Sequence, residues 1–240
     1  MAEFTHRIAR RTVLAGLGAT LAGCMGSRDL SGLDLDMTPT GTIRPEAPGM
    51  IRPQIGIDKN ITSPDLMYAA VDEGPYHLKA IPYAKVPREF RRTIVPYQTS
   101  EVPGTIRVNL AERHLYYVMA GNEAIRYGVG IGKDGFRWSG RAKVQYKKEW
   151  PVWTPPPEMI ERKPELAKYR QGMEPGPMNP LGARALYLFA DGRDTGYRIH
   201  GSPEWWSIGS AMSSGCVRLI NQDIIDLYNR VDAKTTVIVA

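Results

Sequence analysis

Beyond residue 104 the chain alternates apolar and polar positions with the two-residue period of strands that bury one face. Thr105-Ile-Arg-Val-Asn-Leu110 and His114-Leu-Tyr-Tyr-Val-Met119 show the pattern first. Ala120-Gly121-Asn122-Glu123 then supplies a turn, and the pattern resumes over Ala124–Ile131, so these runs predict a β-hairpin. Val144–Glu149, Ala185–Ala190, Tyr197–His200 and a closing Thr235–Val239 are further predicted strands. Pro157–Gln171 predicts a helical or irregular insertion interrupted at Pro164. Asn221–Val231 changes period: Ile224, Ile225, Leu227, Tyr228 and Val231 form one helical stripe. Asn221 is placed to cap that helix and Asp223 to complement its positive end. The expectation is a mostly β domain of about 140 residues, enough to enclose one core.

Before residue 101 no period is sustained. Met25 to about Pro75, rich in Pro and Gly, predicts a tether, and Tyr76–Pro103 an extended segment leading into the domain. Tyr83, Phe90, Ile94, Val95 and Tyr97 give that segment apolar side chains to lay on the domain surface. The expected organisation is residues 1–23 as a signal peptide, 24–100 as tether and leader, and 101–240 as the catalytic domain. At the N-terminus Arg7, Arg10 and Arg11 form a basic region, followed by a short Gly/Ala-rich apolar stretch, Thr12–Ala22. That stretch is too short to span a bilayer and has the build of a removable export signal. Leu21-Ala22-Gly23-Cys24 resembles the lipobox of bacterial lipoproteins, which makes Cys24 the expected lipidation site. Arg10-Arg11 before Thr-Val-Leu also resembles a twin-arginine signal. The expected location is the cell envelope, periplasmic and lipid-anchored.

Composition changes this picture little. With 42% hydrophobic and 23% charged residues and a mean hydropathy of −0.32, the 240-residue chain reads as a soluble globular protein. The net charge of +6 suits a polyanionic neighbourhood or simply a basic surface. No Lys/Arg stripe interleaves with aromatic residues, so nucleic acid is not an expected partner. The two cysteines, Cys24 and Cys216, are more telling. With Cys24 lipidated, Cys216 is a lone thiol in an exported protein, where thiols usually pair. Nothing near Cys216 has zinc-ligand spacing, and neither metal nor cofactor is expected.

Tyr197-Arg-Ile-His-Gly-Ser202 and Ser213-Ser-Gly-Cys-Val-Arg-Leu219 carry the candidate chemistry. At an unperturbed pKa of about 8.5 a thiol is only a few per cent thiolate at neutral pH, so a nucleophilic cysteine needs a base or a positive neighbour. His200 ends an apolar strand and can present its imidazole at a sheet edge. Gly215 clears the approach to Cys216 and lets backbone N–H groups converge as an oxyanion hole. A lone Cys packed as a small hydrophobe and a structural His remain the competing reading of spacing alone.

The two segments together, with the Asn-x-Asp helix that follows, resemble the active-site signature of the L,D-transpeptidases, the YkuD-type family. Trp150-Pro-Val-Trp-Thr-Pro-Pro156, Gly176-Pro-Met-Asn-Pro-Leu-Gly182 and the opening hairpin with Val129-Gly-Ile-Gly132 extend the resemblance over roughly residues 101–240. It implies a β-sandwich-like domain, export, and a meso-diaminopimelate-containing peptidoglycan stem peptide as acyl donor. Carried onto this chain, Cys216 is the nucleophile, His200 the general base, and the Gly201 carbonyl the group that orients the imidazole. The N–H groups of Gly215 and Cys216 hold the oxyanion. Arg218 either binds a substrate carboxylate or braces the loop; Trp205 and Trp206 either wall the groove or pack beneath it.

This chain has Ser213-Ser214-Gly215-Cys216 where the family often has Ser-His-Gly-Cys, so Ser214 stands where a second imidazole is common and is expected to give one hydrogen bond. Trp138-Ser-Gly-Arg141 replaces a frequent Thr-Pro-x-Gly turn. A papain-like peptidase is disfavoured because His200 precedes Cys216. An L,D-carboxypeptidase using water as acceptor, and a wall-binding lipoprotein with a decayed site, are the alternatives to transpeptidation.

Overall fold

The computed structural model describes residues 63–132, 138–212 and 216–240. Cys24 and the export signal lie outside the described residues, as do Ser213, Ser214 and Gly215. The chain order is α1 (Pro64–Met67), β1 (Val71–Glu73), β2 (Tyr76–Leu78), β3 (Thr93–Pro96), β4 (Ile106–Asn109), β5 (His114–Val118), β6 (Glu123–Gly128), β7 (Gly130–Gly132) and β8 (Gly140–Glu149). It continues through α2 (Pro157–Arg162), β9 (Arg184–Ala190), β10 (Arg193–Ser202), β11 (Ala211–Met212), β12 (Val217–Ile220), α3 (Asn221–Arg230) and β13 (Thr236–Val239). The fold is therefore mostly β with one main helix.

Eleven strands form one sheet in the order β11-β7-β12-β10-β9-β8-β13-β4-β5-β6-β3. The predicted hairpin is β5 and β6, paired antiparallel from His114↔Gly128 to Val118↔Ala124. The run expected to be one strand over Ala124–Ile131 divides at Val129. β6 pairs with β5 and β3 near one end of the sheet, whereas β7 pairs with β12 and β11 at the other. One residue thus joins two strands far apart in the sheet order, so the sheet has to curl around its core, as a sandwich does. Ile106, Leu115, Ile125, Leu186, Ile199, Val217, Leu219 and Val237 from both halves fill that core together with Ile224 and Leu227 of α3. The last carbonyls of the helix are met by Lys147, whose Nζ donates to Tyr228 O at 2.8 Å and Val231 O at 2.6 Å.

One helix expectation changes in detail and another gains a partner. Asn221 is the first residue of α3 rather than its cap, which is Ile220 without a side-chain capping bond. Asp223 is fully buried and faces Arg92, with 3.6 Å between carboxylate and guanidinium. At Asn221 a long-range contact with Ala183 outbid the local capping rule, while Asp223 stands in the first turn of α3 as expected.

The leader also departs from a tether over its described part. Tyr68 is 1% exposed and forms a satellite core with Val86, Ile208 and Ile220, against which Met67, Ile81, Tyr83, Phe90 and Trp205 pack. Arg184 is ion-paired with Glu73, and Gln222 Nε2 donates to Ala69 O and Lys79 O, each at 3.1 Å. β3 is a strand of the main sheet, paired with β6 from Thr93↔Arg126 to Pro96↔Glu123. Residues 63–100 are therefore built into the domain whose start was expected at 101, because they fill apolar and charged gaps that the later strands leave open.

Candidate active site

β10 and β12 run parallel, with Ile199 opposite Val217, His200 opposite Arg218 and Gly201 opposite Leu219. Partners in register point to the same face, and successive residues to opposite faces. Ile199, Val217 and Leu219 lie in the core, so His200 and Arg218 point away from it. Arg198, two residues before His200 on β10, shares that outer face by the same period, and Cys216 is the residue just before β12 begins at Val217.

His200 is 5% exposed, and its Nδ1 lies 2.6 Å from the Gly201 carbonyl oxygen. The carbonyl can only accept, so Nδ1 carries the proton and Nε2 keeps its lone pair. Burial pushes the imidazole down to about 4; the Gly201 hydrogen bond opposes that shift, and the positive charges of Arg218 and Arg198 add to it. At pH 7 the ring is neutral and able to take a proton. Gly201 packs closely against Asn221, whose Oδ1 accepts the Ala183 N–H at 3.0 Å. A Cβ at position 201 would come within 2.3 Å of that oxygen, so only glycine allows this approach.

Cys216 is a free, half-buried thiol. Burial raises its pKa, while a hydrogen bond from the Arg198 backbone and the charges of Arg198 and Arg218 lower it. Its carbonyl accepts the Gly132 N–H at 3.3 Å, which fastens the strand entry to β7. The Gly215 N–H expected to complete an oxyanion hole, and the Ser214 hydroxyl, belong to residues outside the described ones.

Arg218 is 8% exposed. Its Nη1 donates to Glu204 Oε2 at 3.3 Å, while Nε and Nη2 find no acceptor among the described residues. It thus ties down the His-to-Cys loop and still has two buried donors for an anion. The two tryptophans divide. Trp205 packs into the satellite core beside Tyr68 and Ile208; Trp206 is 63% exposed, edge-on to Trp205 at 5.7 Å. The loop that carries them crosses Phe90 so closely that a Cβ on Gly209 would lie 2.2 Å from the ring. Leader, loop and β12 are therefore packed as one unit.

Motif reading passes over Arg198, which counting two residues back from His200 would have found; it includes Asn221 in the Asn-x-Asp helix but not its contact with Ala183, 38 residues away.

A family model for the YkuD L,D-transpeptidase catalytic domain matches residues 103–239. The chain belongs to this family. The L,D-transpeptidase-family segment therefore includes every strand from β4 onward. The probable L,D-transpeptidase YbiS of Escherichia coli K12 is 40% identical over 144 residues, covering 55% of this chain and 43% of its own. The probable L,D-transpeptidase ErfK/SrfK of Salmonella typhimurium is 35% identical over 196 residues, covering 76% of this chain and 61% of its own. This chain thus spans about half the length of the curated relatives it matches. Among solved structures, a Brucella melitensis protein described as a probable carnitine operon oxidoreductase is 45% identical, covering 62% of this chain and 93% of its own with a TM-score of 0.46. An Enterococcus faecium L,D-transpeptidase is 19% identical, covering 58% of this chain and 50% of its own with a TM-score of 0.43.

Proposed function

We propose that this chain is a peptidoglycan L,D-transpeptidase working through a Cys216 thioester. The reading is supported by a neutral, tautomer-fixed His200 on β10 and the free thiol of Cys216 at the entry to the parallel neighbour β12, in a chain of this family. In the first half-reaction His200 Nε2 takes the thiol proton and Sγ attacks the meso-diaminopimelate carbonyl of a stem peptide. The N–H groups of Gly215 and Cys216 hold the oxyanion. As the intermediate collapses, the C–N bond breaks and the departing amine takes the proton back from His200. In the second half-reaction an amine acceptor gives its proton to His200, attacks the thioester and displaces the thiolate, which is reprotonated. The spare donors of Arg218 suit a substrate carboxylate, and the exposed face of Trp206 suits a wall of the groove.

Export and anchoring belong to the same proposal. Arg-led apolar residues ending in Leu21-Ala22-Gly23-Cys24 support cleavage before Cys24, lipidation of its thiol and a periplasmic, membrane-tethered enzyme. Cys24→Ser should abolish both the lipid mass and membrane partition.

The test is mass spectrometry of purified muropeptides after incubation with the protein. New cross-linked or amine-exchanged products are expected. Loss of the terminal residue without any transfer product would make water the acceptor, and an unchanged muropeptide pool would contradict the proposal.

A further inference from the structure

One leader residue stands where two segments of the catalytic domain converge. Phe90 ends a short helical turn, Arg88–Phe90, ahead of the family segment that begins at residue 103. Its backbone is tied to the sheet. Phe90 N–H donates to Pro87 O at 3.0 Å, and the carbonyl of the preceding Glu89 accepts from His114 Nε2 on β5 at 2.8 Å. The Phe90 and His114 rings lie 5.4 Å apart.

Two glycines make room for it. A Cβ on Gly128 would come within 2.7 Å of Phe90 Cα, Cβ and carbonyl oxygen, and a Cβ on Gly209 within 2.7 Å of three of its ring carbons. Gly209 stands at φ +80° and favours glycine on that ground alone. Gly128 has no positive φ and ends β6, where a glycine gives up side-chain packing. What glycine allows at Gly128 is the approach of Phe90.

The chain runs from each of these glycines straight into the site. Val129 leads from Gly128 into β7, and Ser210 leads from Gly209 into β11. The two segments bond at once: Gly209 N–H donates to Val129 O at 3.1 Å, and Ile131 N–H to Ser210 O at 3.3 Å. β11 then runs parallel to β7, with Ala211 opposite Ile131 and Met212 opposite Gly132. The other edge of β7 takes β12, with Val217 opposite Ile131, and Gly132 N–H donates to Cys216 O at 3.3 Å. β7 is therefore a shared rail, with the end of the His-to-Cys loop on one edge and the entry of the nucleophile on the other. Its sequence is Gly-Ile-Gly, and short Gly-rich strands are weakly held in register by their own ladder. A contact that fixes the entry to this rail fixes what hangs from both edges.

We propose that Phe90 is a positioning residue for acyl transfer: wedged between Gly128 and Gly209, it sets β7, and through β7 both the entry of Cys216 and the loop that carries Glu204 and Trp206. It touches no substrate in this role. The leader is then part of the working enzyme, and a chain begun at residue 103 lacks a piece of its own site. The inference rests on the transpeptidase reading for what is positioned, while the wedge itself stands on the packing.

The test compares full-length wild type, Phe90→Ala and Phe90→Leu at a temperature below every unfolding midpoint. With a stem tetrapeptide as donor, Phe90→Ala should lower kcat for acylation of Cys216 about ten- to a hundredfold, the scale of a slight misplacement of reacting groups, and change KM less than about threefold. Leucine refills much of the space and should recover most of the rate. Amide hydrogen exchange gives a second reading that needs no substrate. In Phe90→Ala the amides of Ile131, Gly209 and Ser210 should exchange about tenfold faster, while those of β4 and α3 keep their rates. Should Phe90→Ala fail to fold, Phe90→Val takes its place, with a smaller effect of the same sign in both readings. A folded variant with wild-type kcat, or faster exchange spread evenly over β4, β7 and α3, overturns the proposal. If the wild type itself forms no acyl-enzyme, it is the transpeptidase reading that fails, and exchange at Ile131, Gly209 and Ser210 decides the wedge alone.

Discussion

Two clusters of buried charge flank α3, and they differ in how their charges balance. The first joins the leader to the helix. Arg92 lies 3.6 Å from Asp223 and 3.0 Å from Asp226; Tyr68 and Tyr127 donate to those carboxylates at 3.3 and 2.6 Å, and Arg230 closes on Asp226 at 2.8 Å. Two cations meet two anions, all from scaffold elements. The second cluster, at Cys216, holds Arg198 and Arg218 with their acids set out toward solvent, and a neutral imidazole. A balanced buried cluster fixes geometry, because breaking it strands a charge. An unbalanced one keeps part of its electrostatic capacity for whatever enters. That contrast separates architecture from chemistry without reference to motif.

The largest effects should come from the second cluster. Cys216→Ala should abolish the covalent adduct expected with a carbapenem, and His200→Gln should slow acylation by about two to four orders of magnitude, the scale of general acid–base groups. Intact-protein mass spectrometry over time checks both. If the contrast is right, neither variant should shift the denaturant midpoint appreciably.

Arg92→Met should do the reverse. It leaves Asp223 buried and unpaired, and should cost about 3–5 kcal/mol of stability in a denaturant titration. Adding Asp223→Leu should recover much of that loss, since a buried pair replaced by apolar groups is often near neutral. A fully active, equally stable Arg92→Met protein would erase the distinction between the clusters. Truncation to a start at Tyr76, which the sequence suggests is harmless because the nucleophile and base lie beyond residue 199, should instead destabilise. It removes Tyr68 from the satellite core and Glu73 from Arg184, and its unfolding midpoint against a chain starting at residue 63 measures the loss.

The pH profile sharpens the comparison further. With His200 held down to about 4, lowering the pH from 7 to 5 leaves the base unprotonated, and acylation should fail for want of base only around pH 4. A histidine at its ordinary 6.5 would already be mostly protonated at pH 5. Toward alkaline pH the rate should climb as the raised Cys216 thiol ionises. The smallest effect is expected at Ser214→Ala, about one net hydrogen bond, roughly 0.5–1.5 kcal/mol or up to about tenfold in rate. A Ser214→Ala defect as deep as that of His200→Gln would mean that a single base does not suffice.

What could be read beforehand follows the range of the contacts involved. Alternation over residues 105–119 and the stripe through Ile224 and Leu227 are local patterns, and they became β4, β5 and α3. His200, Gly201 and Cys216 stand out in the sequence because the proposed chemistry needs those residue types in that order. The leader was not. Tyr68, Glu73 and Arg92 are isolated residues in a Pro/Gly-rich stretch, and their partners Asp223 and Arg184 lie more than a hundred residues away. Asn221 misled for a related reason: a residue well suited to capping met a better acceptor role at Ala183. Val129 gives no sign in the sequence that it carries the chain from one end of the sheet to the other.

The most direct test of the account is trapping of the acyl-enzyme. The protein is mixed with a stem tetrapeptide donor, quenched in acid and measured by intact and peptide mass spectrometry, beside Cys216→Ala and His200→Gln. The account predicts a thioester on the Cys216 peptide with loss of the terminal D-residue, absent in Cys216→Ala and strongly slowed in His200→Gln. An adduct that survives Cys216→Ala, or one that forms at the wild-type rate in His200→Gln, would contradict it.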